Sequence, residues 1–521
     1  MARRAVSLAA AVLLCACSVG PFGSAPTFGI IVVTAGHNVL RGGADDVPPH
    51  LDLRMHAQTP FQSSEVSGSL DNKALPLRVD AGDAVSQLAQ PLPLGSRHHL
   101  DLAVQGRADH LVYDFSIIPP TAARLAAHLD SAGALVVDAA FADAPDTTAL
   151  GAALPGATVA WDDPTHARIH WSGTPPAAID LPPTLPTAQG SHLAAQLHLD
   201  LGGLRAGALR RATVPPAPAR SGIPLQAFSI DTAASNTSTA FHIGALSAIS
   251  PTGWSAASDG TLLGNPDPVA VERARTRAVP IWPLVANDSQ DPAGTTALLS
   301  SAAALSQLVG SIAESVADAG YQGVHLDFEG VDGADKEKLT AFVQMLAGAL
   351  HKVGAKLAVD IVPHGANGTN RFSAAYDVKA IGQAADVVDV MTYDEHGNGG
   401  SPGPVAGVDW QAAEMSATLP DLDPSRTLLG IPFYARRWDA SGGHSDSYQS
   451  AVAYALSLPG AEVSYDFKAQ TPFIKADDGS VTYFDDADSL ARKLALVHTF
   501  SLAGAAAWRL GYEDPAFWNQ G

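Results

Sequence analysis

Cysteine is almost absent from this 521-residue chain: Cys15 and Cys17 are the only two, and both lie close to its start. Downstream of them neither a disulfide framework nor a cysteine metal site can form. Basic residues are also scarce, 31 Lys and Arg against 52 Asp and Glu, which leaves a formal net charge of −21. Nucleic acids and anionic headgroups are normally met by Lys and Arg, so no nucleic-acid partner is expected and a neutral ligand suits the chain better. Charge of either sign is sparse at 16%, while 46% of residues are hydrophobic, which excludes a disordered polymer. The histidines show no metal-type spacing, and no metal or cofactor is expected. At this length two or three domains are expected, because single cores stop growing at roughly 250 to 300 residues.

The one apolar run near the start, Ala5 to Leu14 behind Arg3 and Arg4, is too short to remain as a membrane span and reads as an export signal. It ends in Leu14-Cys15-Ala16-Cys17, which resembles a bacterial lipoprotein signal over residues 1–17. That likeness implies lipidation of Cys17, an exported protein held at the cell envelope, and membrane contact only through the lipid; otherwise the protein is secreted. Residues 28–118 show short alternating runs such as His99 to Val104 and His110 to Ser116 between Gly, Pro and Asp turns, the rhythm of a small β-sandwich. A second β unit is read over 119–213, with Ala134 to Asp138, Thr158 to Trp161 and Ala167 to Trp171 as strands. Both units look immunoglobulin-like in pattern, and neither carries a cluster suited to chemistry. Val214 to Ala219 is proline-rich and makes 214–222 an extended linker.

From residue 223 to 521 the fold class is α/β, apolar strand-like runs alternating with amphipathic helical stretches. Eight strands are expected: Leu225 to Ile230, Ala245 to Ser250, Val279 to Val285, Gly323 to Glu329, Lys356 to Val362, Val387 to Thr392, Thr427 to Phe433 and Gly504 to Leu510. Eight strands and about 300 residues suit a (β/α)8 TIM barrel. Asp335 to Val353 places Leu339, Phe342, Val343, Leu346 and Leu350 on one helical face. Asp485 and Asp486 are candidate caps of a later helix, and Asp477 to Ser480 reads as a hairpin turn within the longest insertion.

Active-site groups of such barrels gather at the carboxyl ends of the strands. Along Val324-His-Leu-Asp-Phe-Glu329 the pleat puts His325, Asp327 and Glu329 on one face and the apolar residues on the other. Two carboxyls so close repel, and one should hold its proton more tightly than a free acid. Taken alone this is more often a solvated edge strand. The other strand ends add Val390-Met-Thr-Tyr-Asp-Glu-His396, Gly430-Ile-Pro-Phe-Tyr-Ala-Arg436 and Ala507-Trp-Arg-Leu510. With these, residues 223–519 resemble glycoside hydrolase family 18, the chitinase-like family, and within it the branch of bacterial spore-cortex and spore-germination hydrolases.

The resemblance implies substrate-assisted cleavage, in which the acetamido oxygen of the sugar attacks its own anomeric carbon and configuration is retained. It implies Glu329 as acid and base, Asp327 as the carboxylate that orients the acetamido group, and Tyr393 as donor to the acetamido oxygen. Asp394, Tyr434, Arg436, Phe228 and His325 are implied as substrate-binding, with Trp508 as the floor under the sugar ring. The family pattern is Asp-x-x-Asp-x-Asp-x-Glu, and here Gln322 and His325 stand at the first two Asp positions. His325 therefore changes how Asp327 is charged and turned. The expected function is an exported glycosidase acting on β-1,4 bonds beside N-acetylated aminosugars, in peptidoglycan or a related envelope glycan first and chitin or chitooligosaccharide second. The alternative is a weak or inactive carbohydrate-binding protein at the cell surface. A monomer is expected.

Overall fold

The computed structural model describes residues 28, 31–36, 38–108, 110–220, 222–365 and 368–519. The signal-like segment 1–17, with Cys17, lies outside the described residues. The chain divides into two compact units, residues 1–120 with 189–191, and residues 121–188 with 192–521.

The first unit is all β, with two five-stranded sheets. In Asp52–Ala57 the residues Leu53, Met55 and Ala57 are buried while Arg54 and His56 face outward, the alternation of a half-buried strand. Val33 and Met55 of one sheet share a core with Leu100, Leu102 and Phe115 of the other. Ala44–Val47 pairs parallel with Leu111–Ile117, whereas the other strand pairs of the unit are antiparallel.

The second unit begins with a β module. Its five-stranded sheet runs, in order, Ala157–Asp163, His166–Trp171, Leu135–Phe141, Ala123–Leu129 and Arg210–Val214. A two-stranded sheet and a helix, Thr147–Ala153 capped by Asp146, complete it; the helix was not foreseen. Buried Arg124 and half-buried Arg211 of this sheet both bind the carboxylate of Asp486, and Asp138 accepts from Val463 N at 2.8 Å. Asp486 also caps helix Ala487–Thr499, whose Leu490, Leu494 and Val497 are buried. Asp485 does not share the capping role; it is buried in an ion pair with Lys493 at 2.6 Å.

The rest of the unit is the eight-stranded parallel barrel. Its strands are Leu225–Ser229, Ala248–Pro251, Leu284–Ala286, Gly323–Asp327, Lys356–Ile361, Val387–Val390, Thr427–Pro432 and Gly504–Trp508. The eighth pairs with both the first and the seventh, and a bridge from Ile249 to Ile281 closes the ring between the second and third. The third strand is shorter than expected because Pro280 and Pro283 cannot donate to the ladder. The second starts later than expected, since Ala245 belongs to the turn Ile243–Ala245. Helix Lys336–Lys352 buries the five predicted apolar residues. The insertion after the seventh strand is larger than a hairpin: five antiparallel strands and helix Tyr448–Ser457, with the expected turn joining Thr471–Lys475 to Val481–Tyr483.

Candidate active site

The fourth strand ends at Asp327, so Glu329 stands two residues past it, in the loop. Val324, Leu326 and Phe328 face the helices, Phe328 meeting Phe342 at a ring separation of 5.2 Å. This turns Asp327 and Glu329 to the barrel mouth. Asn287, just beyond the third strand, holds the Glu329 main chain from both sides: its Oδ1 accepts from Glu329 N at 2.9 Å and its Nδ2 donates to Glu329 O at 2.8 Å. Gly330 allows the sharp exit, at φ 64° and so close to Ser289 O that a Cβ would lie 2.9 Å from it.

A cavity of about 240 Å³ opens at this end of the barrel. Asp327, Glu329, Tyr393, Asp394, Tyr434, Arg436, Phe228 and Trp508, brought from the first, fourth, sixth, seventh and eighth strand ends, all line it. Phe228 and Trp508 lie 5.3 Å apart between ring centres, an apolar wall. Also lining the cavity, Asp394 accepts hydrogen bonds from the Tyr434 hydroxyl and from Arg436 Nη2, the latter at 2.9 Å. Asp394 has φ 64°, a left-handed backbone that a non-glycine residue adopts at a cost. Arg436 also donates to His396 O at 2.6 Å, so its guanidinium is held in place.

Burial, the nearby Glu329 and the nearby Asp360 push the Asp327 carboxyl well above the ordinary range. Burial and the charge of Asp394 raise Glu329 as well, while a hydrogen bond from Asp327 works the other way. The two carboxyls thus share a proton that rests on Asp327 and points at Glu329. Burial also keeps the Tyr393 and Tyr434 hydroxyls protonated.

His325 is the one candidate that does not reach the cavity wall. It is wholly buried below Asp327, with Nδ1 2.7 Å from Asp360 Oδ1 and Nε2 2.8 Å from Gln226 Oε1. Burial lowers its pKa to about 4. It therefore cannot bind substrate directly as expected; it is packed edge-on against Phe228 instead. Asp360, Ser445 and Tyr512 line the cavity and were not foreseen. Asp360 sits in the apolar run Leu357-Ala-Val-Asp-Ile361, where a lone acid on an inner strand was the available signal.

Residues 272–513 match the sequence model of glycosyl hydrolases family 18. The uncharacterized glycosylase YvbX of Bacillus subtilis (strain 168) is 25% identical over 301 residues, 56% of this chain and 87% of that protein. The cortical fragment-lytic enzyme of the same organism is 27% identical over 223 residues, 41% of this chain but only 52% of its own length. The crystal structure of a chitinase from Chromobacterium violaceum ATCC 12472 matches with a TM-score of 0.54 and 28% identity, covering 57% of this chain and 98% of that one.

Proposed function

We propose, from the match of residues 272–513 to the glycosyl hydrolases family 18 model, that the chain cleaves β-1,4 bonds beside N-acetylated aminosugars, with retention of configuration. The observation that carries this is the shared wall of one cavity: Asp327, Glu329 and Tyr393 face it together with the Phe228 and Trp508 rings. A sugar ring laid on Trp508 presents its glycosidic oxygen to Glu329, which passes on the proton held by the pair. Asp327 is then left as a carboxylate beside the cation formed when the acetamido oxygen attacks the anomeric carbon. Tyr393 donates to that oxygen, and Glu329 later takes a proton from the attacking water. Asp394, Tyr434 and Arg436, which share the cavity, hold the sugar.

The substrate proposed first is peptidoglycan or a related envelope glycan, supported by likeness to a cortical fragment-lytic enzyme; chitin or its oligosaccharides come second, supported by likeness to a chitinase. Export, a lipid at Cys17 and immunoglobulin-like spacer modules belong to the same proposal. The test is incubation of the full chain with purified peptidoglycan and with chitooligosaccharides, products being identified by mass spectrometry beside Glu329→Gln. Products that vanish in the variant are expected. Binding of either glycan with no product from wild-type protein would refute hydrolysis and leave a carbohydrate-binding protein.

A further inference from the structure

At the floor of the cavity and beneath it the barrel holds more acid than cleavage by Asp327 and Glu329 uses. Asp360 of the fifth strand and Asp389 of the sixth are both buried, and they are direct partners in the ladder between those strands. Among the described residues, His325 of the fourth is the only basic side chain that binds either, through Asp360. Its two ring nitrogens have different neighbours. Gln226 turns its amide oxygen to Nε2, and an amide oxygen can only accept, so Nε2 carries a hydrogen. The other nitrogen, Nδ1, then meets Asp360 Oδ1 across 2.7 Å, a distance that requires one hydrogen between them.

Two states satisfy that geometry. Either the hydrogen is on Asp360, making a neutral acid and a neutral imidazole, or it is on His325, making a carboxylate and an imidazolium. The net charge of the pair is zero in both, no proton is exchanged with water, and every bond to Gln226 survives.

We propose that His325 and Asp360 form a proton-sharing pair that positions and charges Asp327 for the cleavage step. This rests on the reading of Asp327 and Glu329 as the proton-handling carboxyls. While Asp327 and Glu329 still hold their shared proton, a carboxylate on Asp360 is tolerated and its hydrogen moves to His325 Nδ1. Once Glu329 has given its proton away, the new negative charge repels Asp360, and the hydrogen returns from Nδ1 to Oδ1. The repulsion is short-range and little screened, since His325 and Asp360 are buried and Glu329 is partly so. The other titratable groups that face the pair are the buried Asp389 and Tyr376 and the half-buried Asp327 and Tyr393, all able to feel Asp360. The pair thus makes room for the charge on Asp327 and Glu329 by moving one proton along one hydrogen bond. Asp360 and His325 are positioning residues, since neither takes part in bond making at the sugar.

The test compares the full chain with Asp360→Asn, Asp360→Glu and His325→Asn. Two readouts are taken: the pH profiles of kcat and KM on chitooligosaccharide and peptidoglycan, and the far-downfield proton NMR spectrum. Asp360→Asn is expected to lower kcat about 10- to 100-fold with KM within about twofold. Removing that carboxylate also lets Asp327 and Glu329 lose their proton sooner, so the alkaline limb of kcat moves to lower pH, and Asp360→Glu restores most of both. The wild-type spectrum should contain a shared-proton resonance that Asp360→Asn and His325→Asn each abolish. A pH profile of Asp360→Asn that superimposes on the wild type's, or a wild-type spectrum without that resonance, overturns the proposal. If Asp360→Asn fails to fold, the wild-type and His325→Asn spectra decide. Wild-type protein that turns over neither glycan sinks the hydrolase reading alone, because the resonance is read without turnover.

Discussion

Replacing Asn287 tests whether the acid is held by its main chain. Asn287 does not line the cavity, yet its side chain makes two hydrogen bonds to the Glu329 peptide and a third to Thr295 Oγ1 at 2.9 Å. In Asn287→Ala the Glu329 main chain loses both partners. Each neutral hydrogen bond contributes about 1 kcal/mol, so roughly 2 kcal/mol of constraint on Glu329 disappears. If that constraint acts in the transition state, kcat falls about thirtyfold, because each 1.4 kcal/mol is about a factor of ten. Displacement of the acid by about 1 Å would lose about a hundredfold. Substrate contacts are untouched, so KM should stay within about twofold. The assay is steady-state kinetics on the better of the two glycans, with thermal unfolding measured alongside. A folded Asn287→Ala protein with wild-type kcat would show that the loop holds Glu329 without this clamp, and the reasoning would fail.

The charge of Asp394 raises Glu329, and a raised acid keeps its proton to higher pH; Asp394→Asn should therefore move the alkaline limb of kcat/KM to lower pH, and an unmoved limb would disprove the coupling. Arg124→Ala leaves the fully buried Asp486 with one cation fewer and should cost about 3 to 5 kcal/mol in thermal or denaturant unfolding. Asp486 is held well below the ordinary carboxylate range, by Arg124 first and then Arg211, against the cost of burial. Its contribution is present above the unfolded pKa of about 3.9 and is lost as pH falls below it, so the gap between Arg124→Ala and wild type should narrow under acid. Cys17→Ala should abolish incorporation of labelled fatty acid in cells; labelling that persists would refute lipidation at that residue.

Much of the barrel was legible because its strands are buried on both faces and read as apolar runs, and because polar residues interrupt those runs at their ends. Gly323 to Asp327 and Thr427 to Pro432 are of this kind, and their boundaries fall within a residue or two of expectation. The third strand was not so legible. Val279 to Val285 has the right composition, but two prolines cut its ladder to Leu284–Ala286, while Trp254–Ala256 pairs beside it as an unforeseen continuation of the second strand. The insertion was read only as far as its tight turn, since its antiparallel strands join residues far apart in the chain, as Arg436 joins Tyr483.

The depth of the acid cluster was hidden for a different reason. Alternation along one strand predicts which side chains share a face, and it placed His325 with Asp327 correctly. It says nothing about which residue of the next strand lies level with them. That depends on the stagger of the barrel, seen only in the register: Leu326 opposite Val359, hence Asp327 level with Asp360, and Asp360 opposite Asp389. Three acids from three strands are thereby set in one ring, each of which looks like an isolated polar residue in its own run. Such a ring costs stability, since both Asp389 oxygens are buried without a partner among the described residues. Protein cores shed unpaired carboxyls unless they serve a purpose. The substitution at His325 therefore reads differently in three dimensions from the way it reads in the motif: the acid missing from the fourth strand has a counterpart on the fifth, and His325 is the residue that binds it.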